Sequence, residues 1–532
     1  MHMNSRARGR RFGAILGGAV ISAMMLAGCG GGGAAAPAPS ASEETEVGEI
    51  QTGGTAKLTF LSEFGGFDPV RLVSVGTGIE RAVAVMDSLL IRDERTDEVS
   101  GKLAAGMTTA DDGKTWVLEL REGVNFTDGT PLDAEAVIFN LERHIAPDSR
   151  SNAKALLAGM ESMEATGPLE VTFTLAAPDG SFPLTFTGST PAGMVGSPAA
   201  LADPEAFNSN PVGAGPFKFD SWVKDDTLTL VRNDDYFVEG QPYLDEVIYQ
   251  VRPDPQTRVD ELISGNTDFS LVPANLWPRV STTPTVKLHL APTGGEALIP
   301  NAAEGPFQDE RLREALLYLF DGKTSAQVLA GGTELWDGDT TCTPWAVGAP
   351  ACDGVEPMNA DLEKAKELVA DYAAENGDPS VEYVHYATSR SAEFVQQQLA
   401  SIGITAVMRA MDPTAHAVAQ AAGDYQLLQG TTVSAGYPTV WTRLYEGGQN
   451  WGRVAHPELQ AALLTARTAP TLEERSAAWK DVDEQIRENA VMVWYSPNLS
   501  GMAHSNKLHL GSEAREYDGS MLVYLDAAWK EQ

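Results

Sequence analysis

The sequence predicts a mixed α/β chain of at least two lobes, on three observations. Its 532 residues exceed what one hydrophobic core usually holds. Residues 211–251 carry successive period-2 segments, GPFKFDSWV, TLTLVRN and EVIYQVR, which read as strands. After about residue 305 the pattern changes to amphipathic helices with apolar residues three and four apart. A β-rich middle followed by a helix-rich half fits separate layered lobes.

The elements follow in order. Residues 1–28 read as an export signal: Arg6, Arg8, Arg10 and Arg11 precede an apolar run from Phe12 to Ala27, too short for a good transmembrane helix. The run ends in LAGC, which resembles a bacterial lipoprotein signal with Cys29 as the lipidated residue; Arg10-Arg11-Phe12 is also faintly similar to a twin-arginine signal. Residues 29–54 are small, polar and acidic, the composition of a flexible tether. Residues 56–61 read as a strand broken by GGFDP, and IERAVAVMDSLL as a helix. A strand over 117–121 leads to a turn at Asp128-Gly129 and a helix capped by Asp133. LEVTFTLAAP, 169–178, is another strand. Later helices are DERLREALLYLF with Asp309 as cap, ADLEKAKELVADYAAENG, SAEFVQQQLASIGI before the strand TAVMRAM, and TLEERSAAWKDVDEQI with a Thr471/Glu474 capping box.

Composition excludes some functions. With 38 basic against 73 acidic residues the net charge is −35, so no nucleic-acid partner is expected. No H-E-x-x-H, G-x-S-x-G or G-x-x-x-x-G-K-[ST] motif is present, and His385, His416, His456 and His504 have no partner at ligand spacing. Neither an enzyme, a cofactor nor a metal site is expected. PVGAGPFKF, 211–219, fails as a phosphate loop: Pro216 removes a backbone donor, and FKF begins a strand rather than a helix. It reads as a joint, its glycines supplying unusual backbone angles. Cys342 and Cys352, in CTPWAVGAPAC, read as a local disulfide in an exported chain, with no further Cys or His nearby for a metal. Trp479 shares a helical stripe with Val482 and Ile486 and reads as core. Tyr437, Trp441, Tyr445 and Trp451 lie in SAGYPTVWTRLYEGGQNWGR, a weakly periodic segment that reads equally as a ligand-lining loop or a loop over the core.

Several of these stretches together resemble one family, the family 5 solute-binding proteins of ABC importers, of the dipeptide/oligopeptide/nickel-binding type. They are ADDGKTWVLELREGVNFTDGTPLDAEAVIFNLER (110–143), NPVGAGPFKF, LVRNDDYF, GPFQDERLREALLYLFD and QQQLASIGI. The resemblance runs collinearly from about 56 to 510. It implies a bilobal periplasmic-binding-protein-like II fold with an extra domain. Domain I would be 55–85, 210–288 and 500–532, domain II 86–209, and domain III 289–499. It further implies capture of a peptide or similar small solute between lobes that close by a hinge, and delivery to membrane permease subunits served by a separate ATPase. The protein would be a monomer, lipid-anchored on the outer face of the cell membrane, on the periplasmic side if there are two membranes.

One departure bears on the ligand. Peptide-binding members carry an Asp for the peptide amine where this chain has Ser434, Ala435 or Gly436, and no acid stands between Asp424 and Glu446. A free peptide N-terminus would lack its counter-charge there. A non-peptide solute, such as an oligosaccharide, a chelated metal or another aromatic-stacking molecule, is the alternative within the binding class; a surface-anchored hydrolase is the alternative outside it. The expected ligand-binding residues are Phe64, Phe67, Trp336, Tyr437, Trp441, Asn450 and Trp451, with Arg390 for an anionic group.

Overall fold

The computed structural model describes residues 49–72, 78–93, 98–149, 151–329, 360–387, 389, 391–433, 444–445, 450–453, 456–511 and 523–532. Cys29, Cys342 and Cys352, with the lipidation and disulfide expected of them, lie outside the described residues. The last residues of the tether expected over 29–54 are bonded to the fold. The Gly53 N–H donates to Tyr243 O, and the Gln51 side chain accepts from the C-terminal Gln532 N–H.

β1 (Thr55–Phe60) and α1 (Ile79–Met86) come first. A subassembly with its own core follows. It comprises β2 (Leu90–Arg92), β3 (Val99–Gly101), β4 (Ala104–Thr109), β5 (Thr115–Leu120), α2 (Ala134–Ile145), β6 (Met160–Gly167) and β7 (Glu170–Leu175). Strands β4 to β7 form an antiparallel sheet in the order β4-β5-β7-β6. Alternate residues of its strands, Leu118, Leu120, Val171 and Phe173, pack on Val137 and Leu141 of α2. As read from the sequence, Asp133 caps α2, its Oδ1 accepting from the Ala136 N–H at 2.9 Å.

After α3 (Pro204–Ser209), PVGAGPFKF does lead into a strand, β8 (Phe217–Val223). The glycines are there for a different reason than expected. Neither Gly213 nor Gly215 has a positive φ. Instead the end of α1 lies against them: a Cβ would stand 2.3 Å from Val85 O at Gly213 and 2.5 Å from the Val85 carbonyl carbon at Gly215. Close backbone approach, not backbone angle, requires glycine.

β9 (Thr227–Arg232), β10 (Glu246–Val251), α4 (Pro255–Ile263), β11 (Phe269–Val272) and α5 (Trp277–Ser281) precede the long β12 (Val286–Pro300). Then come α6 (Glu310–Leu317), α7 (Gly322–Leu329), α8 (Leu362–Asn376), β13 (Ser380–Tyr386), α9 (Ser391–Ser401), β14 (Thr405–Met411), α10 (Pro413–Ala422) and β15 (Leu427–Val433). The chain ends with α11 (Pro457–Thr468), α12 (Leu472–Glu488), the long β16 (Val493–Ser505), β17 (Leu508–His509) and β18 (Trp529–Lys530). The Thr471/Glu474 capping box of α12 is formed. Helix α6 stops at Leu317, short of the expected DERLREALLYLF, yet Leu319 and Phe320 remain buried in the same core.

One ten-stranded sheet runs through the molecule in the order β14-β13-β15-β12-β16-β11-β1-β10-β9-β8. Its two ends carry different cores. At the β1 end, Leu58, Phe60, Phe217, Leu230, Val247 and Tyr249 pack with α1. At the β13 end, strand alternation sends side chains to opposite faces. Ala297, Ile299 and Trp494 pack on Leu463 of α11 and Trp479 of α12, whereas Leu298, Val493 and Tyr495 pack on Leu316 of α6, Val369 of α8 and Leu399 of α9. Trp479, 1% exposed, is core as expected. Among the described strands only β12 and β16 extend through both ends of this sheet, the first half of β12 lying beside β16 and the second half between β16 and β15.

Candidate functional site: the seam crossed by the two long strands

Strand directions place a seam between the two ends of the sheet. β1 is parallel to β10 and β11, and β11 is antiparallel to β16. β16 is antiparallel to β12, and β12 to β15, while β13 is parallel to both β14 and β15. Hence β1, β10 and β11 run with β12 and aim their carboxyl ends toward the second half. β13, β14 and β15 run against β12 and aim theirs back toward the first. The two sets meet near the middle of β12. The last residue of β15, Val433, is opposite Gly294, and the last residue of β11, Val272, is opposite Gly501, itself paired with Leu290. In open α/β sheets the carboxyl ends of the parallel strands are where ligands bind. The β12–β16 register shifts between these ends, at Pro292/Gly295, and again just beyond them, at Glu296/Ala297, where β12 is already paired with β15. Such irregularities bend a strand pair locally.

On the second side of the seam a hydrogen-bonded chain of polar groups lies at the N-terminus of α9. The Tyr386 N–H donates to Gln429 Oε1 at 3.1 Å, and Gln429 Nε2 donates to Ser389 Oγ at 2.9 Å and Ser391 Oγ at 3.0 Å. Ser391 Oγ is 2.9 Å from Tyr495 Oη, whose proton goes to Glu296 Oε2 at 2.7 Å. Since Tyr495 has one proton and gives it to the carboxylate, Ser391 donates to Tyr495. Burial, then Tyr383 and Glu296 nearby, push the Tyr495 hydroxyl well above the usual phenol range, so it stays a donor. On the first side, Arg81 packs its guanidinium over the rings of Phe60 (4.6 Å) and Phe64 (5.1 Å) and donates to Ser62 O, fixing the loop after β1.

Four expected binding residues, Trp336, Arg390, Tyr437 and Trp441, lie outside the described residues. Phe64 and Phe67 are core, a correction to the sequence reading: they are 4% and 0% exposed and stack edge-to-face at 4.8 Å against each other and beside Trp222. Asp68 causes this. It caps the next turn through the Val70 N–H and is gripped by both terminal nitrogens of Arg143, so the GGFDP break is pinned with Phe67 turned inward. Trp451 is also core, 5% exposed and packed with Ile299, Leu463 and Trp479. Asn450 adopts a left-handed conformation (φ 44°), and its Oδ1 is buried without a hydrogen-bond partner among the described residues. Glu296, Ser389, Ser391, Gln429 and Tyr495 escaped sequence reasoning because no motif joins them. Three strands, β12, β15 and β16, with the start of α9 and the turn before it, bring them together.

A cavity of about 380 Å³ lies away from the strand ends, between Met107, Thr109, Trp116 and Leu184 of the small-sheet subassembly and Pro470, Leu472 and Arg475 around the α11–α12 turn. The described residues hold no group of three or more His, Cys, Asp or Glu that could bind a metal, and no helix among them is long and apolar enough to cross a membrane.

Known proteins resemble this chain in sequence and in fold. The chain is 30% identical over 320 residues to the glutathione-binding protein GsiB of Escherichia coli O1:K1 / APEC, covering 58% of this chain and 60% of that protein. It is 28% identical over 324 residues to GsiB of Salmonella paratyphi A, covering 59% and 62%. The chain thus matches about three fifths of the length of these curated relatives. Among solved structures, HbpA2 from Haemophilus parasuis superposes with a TM-score of 0.77 at 18% identity, over 90% of this chain and all of the other. The periplasmic binding protein DppA from Helicobacter pylori, solved with peptide STSA, gives 0.68 at 21% identity over 91% and 99%. A profile of the bacterial extracellular solute-binding proteins, family 5 Middle, matches residues 98–452. With more than half of its length matched, the chain belongs to the family 5 bacterial extracellular solute-binding proteins.

Proposed function

We propose that this protein is the extracytoplasmic receptor of an ABC importer, lipid-anchored through Cys29, which captures a peptide or similar small solute at the seam and presents it to membrane permease subunits. One observation carries the reading: the parallel strands of both halves aim their carboxyl ends at one seam, crossed by two strands whose register is irregular at that point. The seam is where a ligand could touch both halves at once, and bending at Pro292–Glu296 would close them on it. A ligand that contacts both halves binds the closed form better, and that difference in affinity drives closure. Binding and release need no bond-making.

The test is native mass spectrometry of the purified chain for a co-purified solute. It is followed by thermal-shift screening of short peptides, glutathione and oligosaccharides. A true ligand at 100 times its Kd should stabilise the fold by about 2.7 kcal/mol and reduce the radius of gyration in solution scattering. Stabilisation by no solute, with no ligand-dependent compaction, would refute the receptor reading.

A further inference from the structure

A half-buried carboxylate stands at the seam without a cation among the described residues. Glu296 lies on β12 between the two register shifts and two residue pairs from the end of β15, opposite Thr431. Its hydrogen-bond partner is the Tyr495 hydroxyl, and no Lys, Arg or His among the described residues forms an ion pair with it. The neighbouring acids on these strands and helix ends are otherwise engaged: Glu382 and Asp424 pair with Arg409, and Asp309 with Arg311. Taking a carboxylate partly out of water without a counter-charge is unfavourable, and the cost is recovered when a cation arrives.

The site is also oriented in advance. The chain from Gln429 through Ser391 to Tyr495 fixes one carboxylate oxygen by a donor that is 0% exposed, leaving the other oxygen to an incoming group. The chain ends at the N-terminus of α9 and the last residues of β13, the end of the second half that faces the first. Orientation by a buried donor lowers what binding must spend on ordering the site. A metal ion is a poor fit, because a hard cation takes six or more oxygen ligands and one carboxylate supplies at most two.

We propose that Glu296 is the recognition group for a cationic nitrogen of the ligand, a free ammonium, so that the counter-charge missing between Asp424 and Glu446 is supplied from strand β12. This deepens, and rests on, the receptor reading. It reverses the sequence-based expectation that a free amino terminus is a doubtful ligand. It also identifies the ligand class as amine-bearing solutes, peptides among them, rather than neutral oligosaccharides.

The experiment is calorimetric titration of the purified chain and its Glu296→Gln and Tyr495→Phe variants with glutathione and trialanine, each beside its N-acetylated form, and with maltotriose as a neutral probe. The wild-type chain should bind at least one free amine about 100-fold more tightly than its acetylated form. Glu296→Gln should erase that preference while leaving the unliganded melting midpoint within a few degrees. Tyr495→Phe, which removes only the orienting donor, should lose about tenfold. Equal binding of free and acetylated probes, or full retention of affinity by Glu296→Gln, overturns the proposal. Binding of maltotriose alone overturns it too but leaves the receptor reading standing; binding of no probe, with no co-purified solute, removes both.

Discussion

Replacing Gly180 by alanine should release the small-sheet subassembly from the second half of the molecule. Gly180 lies in the loop after β7 and docks on the α11–α12 turn: its N–H donates to Arg467 O at 2.8 Å, and its carbonyl accepts from Arg475 at 3.0 Å. Beside it, Asp179 pairs with Arg467 at 3.1 Å. A Cβ at residue 180 would stand 1.7 Å from Ala469 O, a backbone atom that cannot swing aside. The neutral hydrogen bond contributes about 1 kcal/mol, the guanidinium bond about 1.5–3, and the partly exposed ion pair up to about 1. Losing all three costs about 3–5 kcal/mol, or two to three and a half orders of magnitude in the opening equilibrium of this contact. Hydrogen exchange read on peptides spanning residues 176–184 measures that opening directly. Gly106→Ala is the control, because that glycine, on β4 of the same subassembly, has nothing within 4 Å of its Cβ position. Exchange should accelerate about 100-fold or more in Gly180→Ala and stay unchanged in Gly106→Ala. Exchange within threefold of the wild type in Gly180→Ala would refute the steric argument and show that the turn yields.

Two further outcomes follow from burial. Trp451→Ala should lower the unfolding free energy by about 3–5 kcal/mol in denaturant titration, because the indole fills the core beneath α11 and α12; a near-neutral change would return Trp451 to the list of ligand-facing residues. His144, 1% exposed with Nδ1 2.5 Å from Ser151 Oγ, is held down to about 4 from 6.5 by burial and then by the Arg143 charge. Its folded pKa lies below its unfolded one, so the unfolded chain binds more protons between these values. This contribution is complete above pH 6.5 and is lost as pH falls toward 4, about 2–3 kcal/mol between pH 7 and 4.5. His144→Gln should therefore show a shallower loss of stability over that range than the wild type, and an identical slope in both would contradict the assignment.

What could be read in advance depended on how local the cause is. The Asp133 cap, the Thr471/Glu474 capping box and the stripe of Trp479 are fixed by residues a few positions apart, and all are present in the structure. The two long strands were not read. VKLHLAPTGGEALIP places Pro292 and Gly294-Gly295 where a single-strand pattern breaks, and those residues are the register shift that β12 accommodates by pairing with different partners along its length. A strand of that kind is stabilised by its neighbours rather than by its own alternation. For the same reason Phe64, Phe67 and Trp451 looked suited to a ligand surface, since aromatic residues in a Gly-rich loop carry the same pattern whether they face a cleft or a core. The Asp68–Arg143 grip, 75 positions apart, decided the case of Phe67.

By itself the sequence determined the class of molecule: an acidic, mixed α/β chain with collinear segments resembling one family of solute receptors. Only the tertiary structure decided where the candidate seam lies. The seam exists because strands far apart in sequence point their carboxyl ends at one place. Glu296 stands there with a fixed orientation because Tyr495, 199 residues away, and Ser391, 104 residues from Tyr495, reach it through hydrogen bonds. Hydrogen bonds between such distant residues leave no period or spacing along the chain, so folding alone brings that site into being.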